Sequence, residues 1–530
     1  MSSFTEVTQK LEQSPASKQW HEVGIREHHG FNIPLFSIHS AQSCGIGEYP
    51  DLHLLIDWTK SIGMDVIQLL PLNDTGQDSS PYNSISAFAL NPIYLGLANL
   101  PNLDKHIHLQ EWLKALQKIT PSTIDYAKVR EGKELFLKEY YHLERDTVLN
   151  QEDFKQFVLQ NPWLKGYALF KVLKQHNQWK YWEEWPEPLQ NHTEENIEEL
   201  LKEYSDEIYY HFFIQYFCFQ QMESVKNAAD SRHVLIMGDI PILISRDSAD
   251  VWLHRNLFHM EYSAGAPPDM LGPDGQDWGF PIYNWTEMSK HNDSWWRSRV
   301  KVASRLYNLY RIDHIVGFFR IWSISKGQQP TEGKFIPENV DDWIPQGKKI
   351  MLIKLDASPM LPIGEDLGTI PPSVRVCLRE LGICGTKVMR WERMYEEDRR
   401  FIKSEDYPPE SMTTVSTHDS QPLDLWWERN PEEAKEFAAF KDWQHEDKLS
   451  WQHHYDILWD SHHTASLFHI NLLQEYLALV PNMIWGDPED ERINVPGLIS
   501  DRNWCYRYRP SLEELTSNHQ LREIMTNLVK

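Results

Sequence analysis

The feature that most constrains this chain is a series of short apolar runs, each closed by polar or acidic residues. They are "IPLFSI" (33–38), "DVIQLLPL" (65–72), "HVLIMGDIPI" (233–242), "LYRIDH" (309–314), "MLPIGEDLG" (360–368), "GTKVMRW" (385–391), "MTTVSTHD" (412–419) and "NMIWGD" (482–487). Runs that are apolar on both faces suit strands of a parallel sheet covered by helices. Helical patterns lie between several of them. Pro50-Asp51 opens one that carries Leu55, Trp58 and Ile62 and closes at Gly63. Another, 294–310, repeats Trp296, Val300, Ala303, Tyr307 and Tyr310 at helical spacing and leads into the fourth run. Eight strands with helices between them predict an α/β protein of the (β/α)8 TIM-barrel type. A doubly wound open sheet is the competing arrangement, although no GxGxxG or Walker loop accompanies it.

At 530 residues, the length fits about three to four ordinary domains or one large barrel with insertions. The pattern predicts a single barrel unit over 25–530. The interval 73–230, rich in Leu, Lys, Glu, Tyr and Trp, reads as an inserted, largely helical subdomain after the second strand. The interval 245–291, rich in Gly, Pro, Asp and Trp, reads as a long loop after the third. Such insertions stand on the C-terminal face, where barrel active sites lie.

Charge narrows the partners. Lys and Arg total 52 against 77 Asp and Glu, a net −25, which opposes binding to nucleic acid or anionic membranes. No apolar run reaches the ~18–20 residues of a membrane span, and the N-terminus lacks the basic start and apolar stretch of a signal peptide. A cytoplasmic location is expected. The five cysteines are scattered without a CxxC, so reduced thiols are expected. His453-His454 and His462-His463 fit no zinc spacing, and no metal is expected. The 22 tryptophans suit either core filling or a cleft paved with aromatic faces.

Acidic residues fall at four candidate strand ends: Asp239, Asp313, Glu365 and Asp419. Singly, each could be a helix N-cap. In a barrel they converge on one mouth, where like charges raise one another's pKa. Carboxylates gathered at that cost suit metal binding or glycosidic cleavage by a paired acid and nucleophile. Arg311, two residues before Asp313, points to the same side of its strand. It could keep a nucleophilic Asp313 ionised, or the two could be a buried ion pair that only holds the strand. His314 and His418 adjoin two of the acids and could donate to sugar hydroxyls.

"RIDHIVGFFRIW" (311–322), "GEDLG" (364–368) and "STHDS" (416–420) resemble the nucleophile, acid/base and third-carboxylate motifs of the 4-alpha-glucanotransferases, also called amylomaltases or disproportionating enzymes, of the α-amylase clan. "SSPYNSISAFALNPIYL" (79–95), "DSADVW" (247–252), "APPDMLGPDGQDWGFPIYNW" (266–285) and "ERINVPG" (491–497) are similar to further stretches of that family, so the likeness spans roughly 31–504. The resemblance implies that Asp313 is the nucleophile, Glu365 the general acid/base, and Asp419 the carboxylate that binds sugar hydroxyls and stabilises the transition state. Arg311 and His418 would support the donor-sugar subsite, with Tyr82 as its aromatic platform. Asp269, Gln276 and Trp278 would lie in a loop covering the acceptor side, and Asn494 in the cleft. Asp239 and His314 complete the substrate-binding candidates.

The implied activity is transfer of α-1,4-glucan segments between malto-oligosaccharides, or to glucose or glycogen, by retaining double displacement without cofactor or metal. "DHIVGFF" is closer to the plant cytosolic branch, which favours maltose and branched glucans, yet a barrel beginning near residue 31 leaves no room for that branch's N-terminal starch-binding modules. Ser420-Gln421-Pro422 and Leu498 depart from the usual family pattern. A hydrolase using the same carboxylates, and a non-catalytic glucan-binding protein, are the competing readings.

Overall fold

Eight parallel strands form the centre of the molecule: β1 (His28–Ile33), β2 (Val66–Leu69), β3 (Leu235–Ile240), β4 (Leu309–Ile312), β5 (Leu361–Gly364), β6 (Gly385–Val388), β7 (Ser411–Thr414) and β8 (Phe468–Leu472). The structure is a computed structural model that describes residues 4–119, 122–268, 274–395 and 398–530. Neighbouring strands run in the order β5-β4-β3-β2-β1-β8-β7-β6. A parallel bridge between Ile363 and Cys384 joins the two ends of that order. The ring therefore closes as a (β/α)8 barrel, which excludes the open doubly wound sheet.

Alternate strand residues fill the barrel. Val66, Met237, Leu309, Ile363, Met412 and Ile470 pack with Val7, Leu11 and Trp20 of two N-terminal helices, Phe4–Glu12 and Ser17–Val23. The helices supply apolar side chains to the barrel interior. In register, Asp239 pairs with Arg311 and Arg311 with Ile363, so all three point inward. Asp313 and Glu365, two residues beyond Arg311 and Ile363 in sequence, continue that parity at the C-terminal mouth.

Two strands differ from the sequence expectation. The first lies at 28–33 rather than 33–38: Pro34 has no N–H to donate, and Leu35–Ser37 turns as a 3-10 helix. The eighth is not 482–487, where Asn482 takes a positive φ of 66° in a turn. It is Phe468–Leu472, whose apolar residues alternate with His469 and Asn471. Those two polar side chains are buried, and each is bonded through at least one atom. Nδ1 of His469 lies 2.9 Å from the Ser461 carbonyl, and Oδ1 of Asn471 accepts from the Val415 N–H at 2.9 Å.

Helix Leu52–Ser61 links β1 to β2, and the chain leaves it through Gly63 at φ 81°. The helical stretch before β4 is shorter than expected, Ser294–Ala303. Between β2 and β3 the chain forms helices including Ile107–Leu116, Tyr126–Leu149, Trp163–His176 and Ser205–Ser231, the last leading into β3. The 245–291 interval carries more structure than a loop. Its strands Tyr262–Ala266 and Gln276–Asp277 join Ile321–Ser325 and Lys334–Ile336, which follow β4, in a four-stranded antiparallel sheet. Among the described residues no helix is long and apolar enough to cross a membrane.

Candidate active site

The mouth is organised around Arg311. Its Nη1 donates to Oδ2 of Asp239 at 2.8 Å, and its Nη2 lies 3.0 Å from Oδ1 of Asp313. One guanidinium thus bridges two carboxylates from adjacent strands, a geometry its planar fork suits. Asp239 is buried, and burial pushes its carboxyl above the usual range against the pull of Arg311. Asp313 is more open, with 29% of its side chain exposed.

Glu365 sits across from this pair. Its Oε2 accepts the backbone N–H of His314 at 2.8 Å and its Oε1 that of Leu367 at 2.8 Å. Burial pushes its carboxyl up to about 7; Arg311 and the two N–H donors pull down, while Asp313 adds to the rise. His314 reaches this bond because its backbone turns left-handed, at φ 45°. Burial pushes its imidazole down to about 4, so the ring is neutral near pH 7.

Asp419 shows the opposite balance. Burial alone would raise its carboxyl, but His418 beside it and the Asn494 amide, which donates to Oδ1 at 2.6 Å, hold it well below the usual range. The Asn494 N–H also donates to the His418 carbonyl at 3.1 Å. His418 stacks on Tyr82 with ring centroids 5.4 Å apart and planes 17° apart. The Tyr82 hydroxyl donates to Oδ2 of Asp239 at 2.7 Å and lies 3.0 Å from Nε2 of His418. Tyr82 comes from the loop after β2, which buried Asp250 anchors by accepting the Ala87 N–H at 2.9 Å.

Of the candidates named from sequence, Tyr82, Asp239, Arg311, Asp313, His314, Glu365, His418, Asp419 and Asn494 form one contiguous set. Trp278 joins its edge, meeting His314 at right angles with centroids 5.0 Å apart. Its Nε1 donates to the exposed Gln276 at 2.9 Å. Asp269 lies outside the described residues. Two participants were missed. Trp504 leans on Tyr82 and His418 at 5.7 and 6.0 Å. Arg492 donates to the Asn494 carbonyl at 3.0 Å. The tryptophan excess was the only signal for the first; Arg492 stands inside a motif already recognised. Among the described residues no group of three or more His, Cys, Asp or Glu could hold a metal ion.

A barrel mouth with one carboxyl raised to about 7 and another tied to a guanidinium suits paired acid/base and nucleophile chemistry, and residues 33–513 match the family described as 4-alpha-glucanotransferase. The chain belongs to the 4-alpha-glucanotransferase family. The 4-alpha-glucanotransferase of Chlamydia pneumoniae is 45% identical over 523 residues, covering 97% of this chain and 98% of that protein. That of Chlamydia trachomatis serovar D is 40% identical over 531 residues, covering 100% of both. A 4-alpha-glucanotransferase of Oryza sativa subsp. japonica is 38% identical over 324 residues, 58% of this chain and 34% of that protein. Among solved structures, the amylomaltase of Streptococcus agalactiae in complex with acarbose shares the fold at a TM-score of 0.81 and 24% identity, covering 95% of this chain and 99% of that one. As a 4-alpha-glucanotransferase, the protein transfers α-1,4-glucan segments between oligosaccharides with retention at the anomeric carbon. The hydrolase and binding-protein readings fall away.

Proposed function

We propose that Asp313 is the nucleophile, Glu365 the general acid/base and Asp419 the carboxylate that holds the donor sugar's hydroxyls. The observation that carries this assignment is the contrast between two facing carboxyls: Asp313 in an ion pair with Arg311, and Glu365 raised to about 7. Protonated Glu365 gives its proton to the glycosidic oxygen as the leaving chain departs. Asp313 attacks the anomeric carbon and forms a β-linked glycosyl ester. The 4-hydroxyl of an acceptor then gives its proton to Glu365 and displaces Asp313. Two inversions leave the configuration unchanged.

The Tyr82, His418 and Asp419 side supports the donor sugar, and Asp239 fixes Arg311. Trp278 and Gln276 flank the acceptor side beside His314. We read 25–530 as one catalytic unit, with 73–230 an inserted helical subdomain and 245–291 an active-site region. Malto-oligosaccharides are the proposed donors, glucose and glycogen the acceptors, and the cytoplasm the location. The acarbose bound by the Streptococcus agalactiae amylomaltase supports an oligosaccharide in this mouth.

Incubation with maltotriose followed by chromatography tests the reading. A ladder of longer chains is expected from wild type and none from Asp313→Asn. Glucose and maltose alone from wild type, or an undiminished ladder from the variant, would overturn it.

A further inference from the structure

A cavity lined by none of the candidate site residues holds about 1030 Å³ and opens between helices Trp163–His176 and Ser294–Ala303. Ligand clefts usually measure ~300–1,000 Å³, so the space admits several linked sugar rings. Its wall is aromatic. Phe88 and Trp163 stack with centroids 5.9 Å apart and planes 13° apart, and Trp295 meets Phe88 edge-on at 6.1 Å. Both indole N–H groups are already engaged. That of Trp163 donates to Asn161 at 3.1 Å, and that of Trp295 to Asp250 at 2.9 Å. The rings are held in fixed orientations, and Trp163 keeps part of its surface exposed.

The rim favours a neutral polyol. Gln160, Asn256, Ser294 and Ser298 are exposed there and offer amides and hydroxyls. Among the described residues no carboxylate lines the cavity, and two of its basic side chains are already engaged by partners. Arg305 is held by Glu223 at 2.6 Å and by Asn161 at 3.0 Å, and His291 lies 3.5 Å from Glu287. The wall is also joined to the catalytic mouth. Asp250 accepts from Trp295 with one oxygen and from the Ala87 N–H with the other, and Ala87 and Phe88 belong to the loop that carries Tyr82.

We propose that this cavity is a second, non-catalytic binding site for α-1,4-glucan chains. A long chain held there presents its free end to the mouth at raised effective concentration. Maltotriose is too short to gain from it.

The test fills the cavity from exposed positions, with Ser298→Trp and separately Asn256→Trp in the full chain. KM for long soluble amylose with glucose as acceptor should rise at least about fivefold, while kcat/KM for maltotriose stays within about twofold. In the Asp313→Asn chain, maltohexaose titrated calorimetrically should bind at two sites, and at one after Ser298→Trp. An unchanged KM for amylose in both variants overturns the proposal. So does an equal loss on both substrates, which would make the cavity part of the mouth. Saturable binding of inorganic phosphate that Ser298→Trp abolishes, with maltohexaose binding unaltered, would assign it to anions instead and also overturn it.

Discussion

The backbone N–H of His314 donates to Oε2 of Glu365 across 2.8 Å. This bond ties the end of β4, one residue past Asp313, to the end of β5. The placement of Glu365 relative to Asp313 is therefore held by the main chain of His314, whose left-handed turn presents the N–H.

Glu365→Gln removes the proton that the proposed mechanism transfers. Maltotriose disproportionation should fall by at least ~10³, while α-glucosyl fluoride, whose leaving group needs no proton, still reacts. The glycosyl-enzyme should accumulate and appear by intact-protein mass spectrometry. Normal turnover of maltotriose by the variant would place the acid elsewhere.

The raised Glu365 pKa also sets pH behaviour. In the proposed role Glu365 acts protonated, so transfer should decline as pH rises through about 7. Stability follows the same direction. The folded pKa, about 7, exceeds the ordinary 4.5, so this group's contribution is full below that ordinary value and is lost as pH rises through about 7. Melting temperatures of wild type and Glu365→Gln, compared from pH 5 to pH 8, should show wild type losing ground to the variant.

Asp313→Asn keeps shape and removes the charge proposed to attack. Activity should drop by at least ~10³ with the circular dichroism spectrum unchanged. Retention of more than about a tenth of wild-type activity would remove Asp313 from the nucleophile role.

Arg311→Met leaves Asp239 buried and without its cation, at a cost of about 3–5 kcal/mol in stability. Arg311→Lys keeps a charge but cannot span Asp239 and Asp313 together. It should fold, with kcat reduced at least about 100-fold and KM changed much less. Denaturant unfolding of both variants and steady-state kinetics of the second check this pair of outcomes.

Tyr82→Phe removes the hydroxyl shared by Asp239 and His418. Leaving a buried acceptor short of a donor costs about 1–3 kcal/mol, so a lower melting temperature and about a tenfold loss in kcat/KM are expected. Tyr82→Ala also removes the ring stacked on His418, and should raise KM for maltotriose further.

What the sequence determined by itself was local: apolar runs ending in acids, helical periodicity between them, and the motifs around Asp313, Glu365 and Asp419. Six of the eight strands lay where those runs predicted. The other two escaped because their apolarity is interrupted. His28 and His29 in β1, and His469 and Asn471 in β8, look polar in one dimension; His29 is half-buried and the other three are buried, and all are bonded only once β1, β8 and helix Trp451–His462 pack together. Ring closure itself was legible from the count of eight runs, and the bridge that brings β5 beside β6 bears it out. The contacts that set each carboxyl's charge were not legible. Asn494 reaches Asp419 across 75 residues of chain, and Tyr82 reaches Asp239 across 157. Burial and hydrogen bonding at such separations are properties of the closed barrel, so the tertiary structure alone decided that Glu365 is raised to about 7 and Asp419 held low.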